Sequence, residues 1–167
     1  MVRLVRSFFF GRWLRVQGGD VSILPLLILL AIAIGISYFE RPRPELTPLP
    51  DTVSFTACSG GPRVNCVIDG DTIWAEGEKV RLADIDAPEI FSPECTWEKH
   101  MGDRASERLT ALLNEGQVAL EKTGSRDRDK YGRLLRVARV NGRSVGEKLV
   151  SEGLAHRWGG PNRSWCT

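Results

Sequence analysis

Soft metal ligands are scarce in this sequence: histidine occurs twice, as His100 and His156, and the four cysteines include no Cys-x-x-Cys pair. Those absences argue against a zinc site, which needs nitrogen and sulfur ligands at short, regular spacing. No internal repeat is present, which argues against solenoids and propellers. Charge of one sign is also missing where it would count. The net charge of +2 lies entirely in residues 1–51, with six arginines against four acids, while residues 52–167 hold 17 Lys+Arg against 17 Asp+Glu. A neutral domain exerts no broad attraction on nucleic acid, so any grip on phosphate must be local.

What is present divides unevenly along the chain. The 167 residues suit one ordinary domain of about 100–150 residues with an appendage. Val21–Phe39 runs 19 residues without a charge and without a polar face. At helical rise that length nearly matches a hydrocarbon core of about 30 Å. Arg3, Arg6, Arg12 and Arg15 precede it, whereas Arg41 and Arg43 follow beside Glu40, Glu45 and Asp51. This bias predicts a cytoplasmic segment 1–20, a transmembrane anchor 21–39 and a globular domain facing outward. The same features suit a cleaved signal peptide, which would make the domain secreted. Residues 40–51 include RPRPELTPLP, whose four prolines predict an extended linker and set the domain boundary near residue 52.

Cys58, Cys66, Cys95 and Cys166 all follow the apolar run, and an even number in an exported domain suits two disulfides. Chain geometry favours Cys58–Cys66, closing a short loop, and Cys95–Cys166, fastening the C-terminal tail to the loop after Glu89. Alternation and turn residues predict strands over Val64–Ile68, Thr72–Ala75 and Lys79–Asp84, with turns at Asp69-Gly70 and Glu76-Gly77-Glu78. A helix is expected over Asp103–Asn114 with Gly116 as its cap, then strands at Gln117–Lys122 and Leu134–Val140, and a second helix over Ser144–Glu152. The fold class is therefore α+β, mainly β, compatible with a small barrel carrying attached helices.

Two clusters carry chemistry. Asp69, Asp71, Asp84, Asp86 and Glu89 stand at strand ends, and hard oxygen ligands brought together there suit Ca²⁺ or Mg²⁺; as ordinary turn residues they would do nothing further. Strict alternation would put Arg81 and Asp86 on opposite faces, so a bend near Asp84 is required, and Asp84 is expected outside the ligand set. Arg126, Arg128, Lys130, Arg133, Arg136 and Arg139 form the local basic patch, with Tyr131 among them; guanidinium forks beside an aromatic face suit nucleic acid. Arg136 and Arg139 do not share a face, so the six cannot serve one ligand.

The runs VIDGDT at Val67–Thr72, VRLADIDAPE at Val80–Glu89 and DKYGR at Asp129–Arg133 together resemble the three signatures of the staphylococcal nuclease family. GEKLVSEGLA at Gly146–Ala155 is similar to the family's late helix. The resemblance implies a five-stranded OB-type barrel that cleaves phosphodiester bonds of DNA or RNA with one Ca²⁺ and leaves 3′-phosphate ends. It assigns Asp71, Asp86 and the Ala87 carbonyl to the metal and Asp69 to their support. Arg81, Glu89 and Arg133 take the catalytic positions, with Lys130 and Tyr131 beside a phosphate. No protein partner is implied, a monomer is expected, and the setting would be the outer side of a bacterial inner membrane. The alternative is a non-catalytic OB-type module that binds nucleic acid or protein at that surface. The aromatic residues that the family stacks on its nucleotide have no clear counterpart at Gly159-Gly160; Trp158 is a candidate substitute, with packing in the interior or on a disulfide the favoured expectation.

Overall fold

A computed structural model describes residues 27–30, 32, 45–161 and 163–166. The chain separates into two compact units, Met1–Pro42 and Arg43–Thr167. In the first, residues 27–30 and 32 are helical and exposed; the rest of the apolar run Val21–Phe39 lies outside the described residues, among which no helix is long and apolar enough to cross a membrane.

The second unit is mixed α+β and mostly sheet. Its strands are β1 (Leu46–Pro48), β2 (Thr56–Ala57), β3 (Cys66–Val67), β4 (Thr72–Ala75), β5 (Glu78–Leu82), β6 (Ile85–Asp86), β7 (Val118–Lys122), β8 (Leu134–Val140), β9 (Arg143–Ser144) and β10 (His156–Arg157). Helix α1 covers Thr96–Leu113 and α2 covers Val145–Ser151. The main sheet runs β1-β7-β8-β5-β4-β3-β2 with β9 against β8, and β10 pairs with β6 apart from it. The path is open, from β1 at one end to β2 at the other, so the expected closed five-stranded barrel is not found among the described residues.

Local chemistry explains most of these boundaries. Glu76-Gly77 and Asn141-Gly142 both take positive φ, the conformation of a two-residue hairpin turn, and they join β4 to β5 and β8 to β9. Strand β5 lies antiparallel to β4, with Thr72 opposite Arg81, and parallel to β8, with Arg81 opposite Leu135. It ends at Leu82 rather than Asp84, because the Ala83-Asp84 turn supplies the bend that Arg81 and Asp86 need.

Helix α1 begins at Thr96, seven residues before the expected start. Its first turns show no apolar stripe because their inward positions are Glu98 and Gly102 as well as Met101; the apolar face becomes regular only at Ala105, Leu109, Leu112 and Leu113. Cys95 is its N-cap, the Sγ accepting from the Glu98 N–H at 3.4 Å. Asn114, not Gly116, closes the helix: its side chain takes the Phe55 N–H at 2.9 Å and donates to the Phe55 carbonyl at 2.8 Å. Ile73, Val80, Leu82, Ile85, Leu109, Leu113 and Leu149 are fully buried in one core, each such side chain contributing about 1.5–3 kcal/mol.

Part of the proline-rich stretch belongs to this unit rather than to a linker. Leu46–Pro48 pairs antiparallel with β7, and Leu49 is buried in the core. Pro48 is tolerated because β1 is an edge strand, where a missing N–H leaves no ladder bond unmade. Both expected disulfides are present, Cys58–Cys66 and Cys95–Cys166. The second spans 71 residues, and restricting an unfolded loop of that size contributes about 4 kcal/mol.

Candidate active site

The site is assembled where β4, β5 and β6 end. Asp71, just before β4, is buried. Its Oδ1 accepts from Thr72 Oγ1 at 2.9 Å, its Oδ2 accepts the Ala87 N–H at 2.9 Å, and the same oxygen pairs with Arg81 Nη1. The other nitrogen of that guanidinium, Nη2, meets Asp86 Oδ1 at 3.1 Å. Arg81 thus sits between two carboxylates, one buried and one half exposed. Asp69 accepts the Asp71 N–H at 3.2 Å and holds the loop's shape. Asp84 faces away from this group, accepting from Ser144 Oγ at 2.9 Å where α2 begins.

Gly70, between the two loop acids, is buried against α1. A Cβ there would stand 2.7 Å from both Ala105 Cβ and Ala87 Cβ, closer than carbon atoms approach, so the Asp69–Asp71 turn and the Ala87 segment are pressed together by the helix.

One side of Arg81 opens on a cleft of about 470 Å³. Arg126, Lys130, Tyr131, Arg133 and Trp158 line it. Asp129 organises the basic loop: its Oδ1 accepts the N–H groups of Tyr131 and Arg133 at 2.9 and 3.0 Å, and its Oδ2 takes Arg133 Nε at 2.6 Å. Arg133 and Lys130 lie 5.4 and 4.9 Å from the centre of the exposed Tyr131 ring. The other cations of the patch are engaged elsewhere: Arg128 with Glu78, Arg136 with Asp127 and Arg139 with Glu121.

Trp158 is exposed rather than packed, with the Arg81 guanidinium 5.6 Å from its ring centre. The pairing of β10 with β6 places it there, since His156 stands opposite Asp86 and the Trp158 N–H donates to the Asp84 carbonyl. Trp165, beside Cys166, takes the packing role instead, stacked on His156 with ring centres 3.9 Å apart. A two-strand ladder joining residues seventy apart has no signature in the sequence, so the sequence favoured a packed Trp158 over one that takes the stacking position.

The electrostatics follow from crowding. Burial lifts the Asp71 carboxyl from its ordinary value of 3.8 to about 7, with Arg81 opposing and Asp69 adding to the rise. Glu89 is exposed, yet partial desolvation raises its carboxyl, and the charge of Asp69 pushes the same way against Arg81, as do Asp86 and Glu98. Asp71 and Asp86 pair with Arg81, and Asp69 and Glu89 add negative charge beside them. Among the described residues, the ligand atoms that converge most closely are those of Glu94, Glu98 and Cys166, but that sulfur is committed to a disulfide and offers no thiolate. The acids around Arg81 are hard oxygen donors, one of them buried with its charge disfavoured, the donor type that suits a divalent ion.

Comparison with known proteins agrees with this geometry. Residues 79–163 match the family described as Staphylococcal nuclease homologue, a stretch that includes Arg81, Asp86, Glu89 and Arg133. Endonuclease YncB of Bacillus subtilis is 45% identical over 92 residues, 53% of this chain and 43% of that protein. The SPbeta prophage-derived endonuclease YokF of the same organism is 42% identical over 92 residues, 53% of this chain and 31% of YokF. The thermonuclease of Staphylococcus hyicus is 33% identical over 93 residues, 53% of this chain and 54% of the enzyme. The matched region thus spans roughly a third to a half of these relatives' length. Half of this chain fits the family pattern, and the fitted half contains Arg81, Asp86, Glu89 and Arg133, with Asp69 and Asp71 shortly ahead of it: the chain belongs to the staphylococcal nuclease family.

Proposed function

We propose that the chain is a Ca²⁺-dependent nuclease that hydrolyses phosphodiester bonds of DNA or RNA. The observation that carries this reading is Arg81, whose guanidinium is held by Asp71 and Asp86 on one side and faces the Arg133–Lys130–Tyr131–Trp158 cleft on the other. A phosphodiester in that cleft would meet cations on one flank and a carboxylate cluster on the other.

Asp71, Asp86 and the Ala87 carbonyl would hold the ion, with Asp69 shaping the loop beneath. Calcium bound there would withdraw charge from a phosphate oxygen as a Lewis acid. Arg81 and Arg133 would hold the remaining oxygens as charge develops on them, an interaction worth more in the transition state than in the ground state. Glu89 would take a proton from the attacking water as its oxygen bonds to phosphorus; the bond from phosphorus to the 5′ oxygen would break and that oxygen would take a proton from solvent, leaving a 3′-phosphate and a 5′-hydroxyl. Its raised proton affinity makes it a stronger base than an ordinary glutamate. Tyr131 and Trp158 offer aromatic faces to the flanking bases.

For its setting, the reading adds an anchor at residues 21–39 and a domain outside the inner membrane, supported by the apolar run and by two disulfides suited to an oxidising compartment. The domain would act as a monomer.

The test is to incubate the full chain with single- and double-stranded DNA and RNA, with calcium or with chelator. Calcium-dependent shortening of at least one is expected; no cleavage of any would overturn the reading. A second expectation concerns pH. Because Asp71 is raised from 3.8 to about 7, the folded chain without metal binds more protons than the unfolded chain in that window. Its stability therefore falls as pH rises from about 4 through about 7. Metal and proton compete for the same carboxylate. Calcium should accordingly raise the melting temperature more at pH 8 than at pH 5, and an equal shift at both would count against Asp71 as a ligand.

A further inference from the structure

Glu98 is a buried acid in the first turn of α1, and among the described residues its carboxylate pairs with no cation. Its Oε1 accepts the Glu89 N–H at 3.3 Å and its Oε2 accepts the Glu94 N–H. The side chain therefore ties the two ends of the Glu89–Glu94 loop to the helix. A glutamate at this third helical position ordinarily turns back to the N-cap N–H; here it reaches past Cys95 to the residue before it and to Glu89.

A second contact acts on the same backbone. Gly102 lies one turn further along that face, and a Cβ there would stand 2.7 Å from the Pro88 carbonyl oxygen and 3.2 Å from that of Glu89. The helix is pressed against the Pro88–Glu89 peptide. The clamp is in turn fixed at its base, since Cys95, which caps the helix through the Glu98 N–H, is bonded to Cys166.

We infer that Glu98, with Gly102, is a positioning residue for Glu89: the α1 face sets where the Glu89 carboxylate stands relative to Arg81 and Asp86. This rests on the nuclease reading above, in which Glu89 is the base. Neither residue lines the cleft, so they should act on turnover through Glu89 alone. A displacement near 1 Å at a reacting group lowers the rate by about 10²-fold, and losses of that size in kcat are expected for Glu98→Ala and for Gly102→Ala, with KM and calcium affinity unchanged.

The deciding experiment is a double-mutant cycle on the full chain, with kcat measured for wild type, Glu89→Gln, Glu98→Ala and the pair, and thermal melting recorded for each. If Glu98 works by placing Glu89, the Glu98→Ala change lowers kcat no further once Glu89 is Gln. An equal proportional loss in both backgrounds would show a merely structural role and overturn the inference, as would wild-type kcat in Glu98→Ala. Should Glu98→Ala fail to fold, the same cycle with Gly102→Ala, which removes no hydrogen bond, gives the decision. An inactive wild type would instead overturn the nuclease reading, and this inference with it.

Discussion

Glu89→Gln is expected to lower kcat by about 10²–10⁴-fold, the usual worth of a general base, while calcium binding persists. Glutamine matches glutamate in size and keeps an acceptor oxygen, so the loop held by Glu98 and Gly102 has no reason to move. Only the capacity to take a proton is lost. Turnover measured at saturating calcium, with calcium affinity followed in parallel by the shift in melting temperature, separates the two effects. Undiminished hydrolysis would remove Glu89 from the mechanism.

Arg81→Ala should be still more damaging, because one side chain serves the fold and the chemistry together. Arg81 and Asp71 are both buried. Removing one partner of such a pair costs about 3–5 kcal/mol, since the other charge is left stranded. The loss should depend on pH. Below about 7 the Asp71 carboxyl is already inclined to hold its proton, so the variant should be nearest wild-type stability at pH 5 and furthest from it at pH 8. Calcium should recover part of the difference at pH 8 by supplying a counter-charge to Asp71. Turnover should be lost even where the fold survives, because the cleft loses the guanidinium that faces both Asp86 and Trp158. A melting-temperature series across pH, with and without calcium, checks the first half; cleavage at pH 5–6 checks the second.

That Asp71, Arg81 and Asp86 come together was expected from the family resemblance, and the structure pairs them; each stands in a short run with its own local logic. Asp69-Gly70-Asp71 is a turn between two β-branched strands, Arg81 lies on a strand that must bend before Asp86, and Asp129 to Arg133 is a tight loop. Contacts inside such runs span few residues. What was missed or judged the other way depends on distant partners. Trp158 reaches the cleft through the β6–β10 ladder, and β1 pairs with β7 across some seventy residues of chain despite its proline. Glu98 was hidden for another reason: an acid at the start of a helix normally signals a solvated turn, and nothing in its neighbours shows that it turns inward. The early start of α1 was lost with it, since a face made of Glu98 and Gly102 carries no hydrophobic period.

The central claim is that the acidic turn and the basic loop act on one phosphate. Arg133 decides it, because that residue belongs to the basic loop, lies on Tyr131, and is oriented by Asp129 rather than by any of the acids around Arg81. Cleavage of single-stranded DNA by Arg133→Ala at saturating calcium is the direct measurement. Loss of one donor to a developing charge costs about 10²–10³-fold in kcat, and the account predicts a loss of that order with the calcium requirement unchanged. Wild-type turnover in Arg133→Ala would contradict it, leaving the basic loop outside the site.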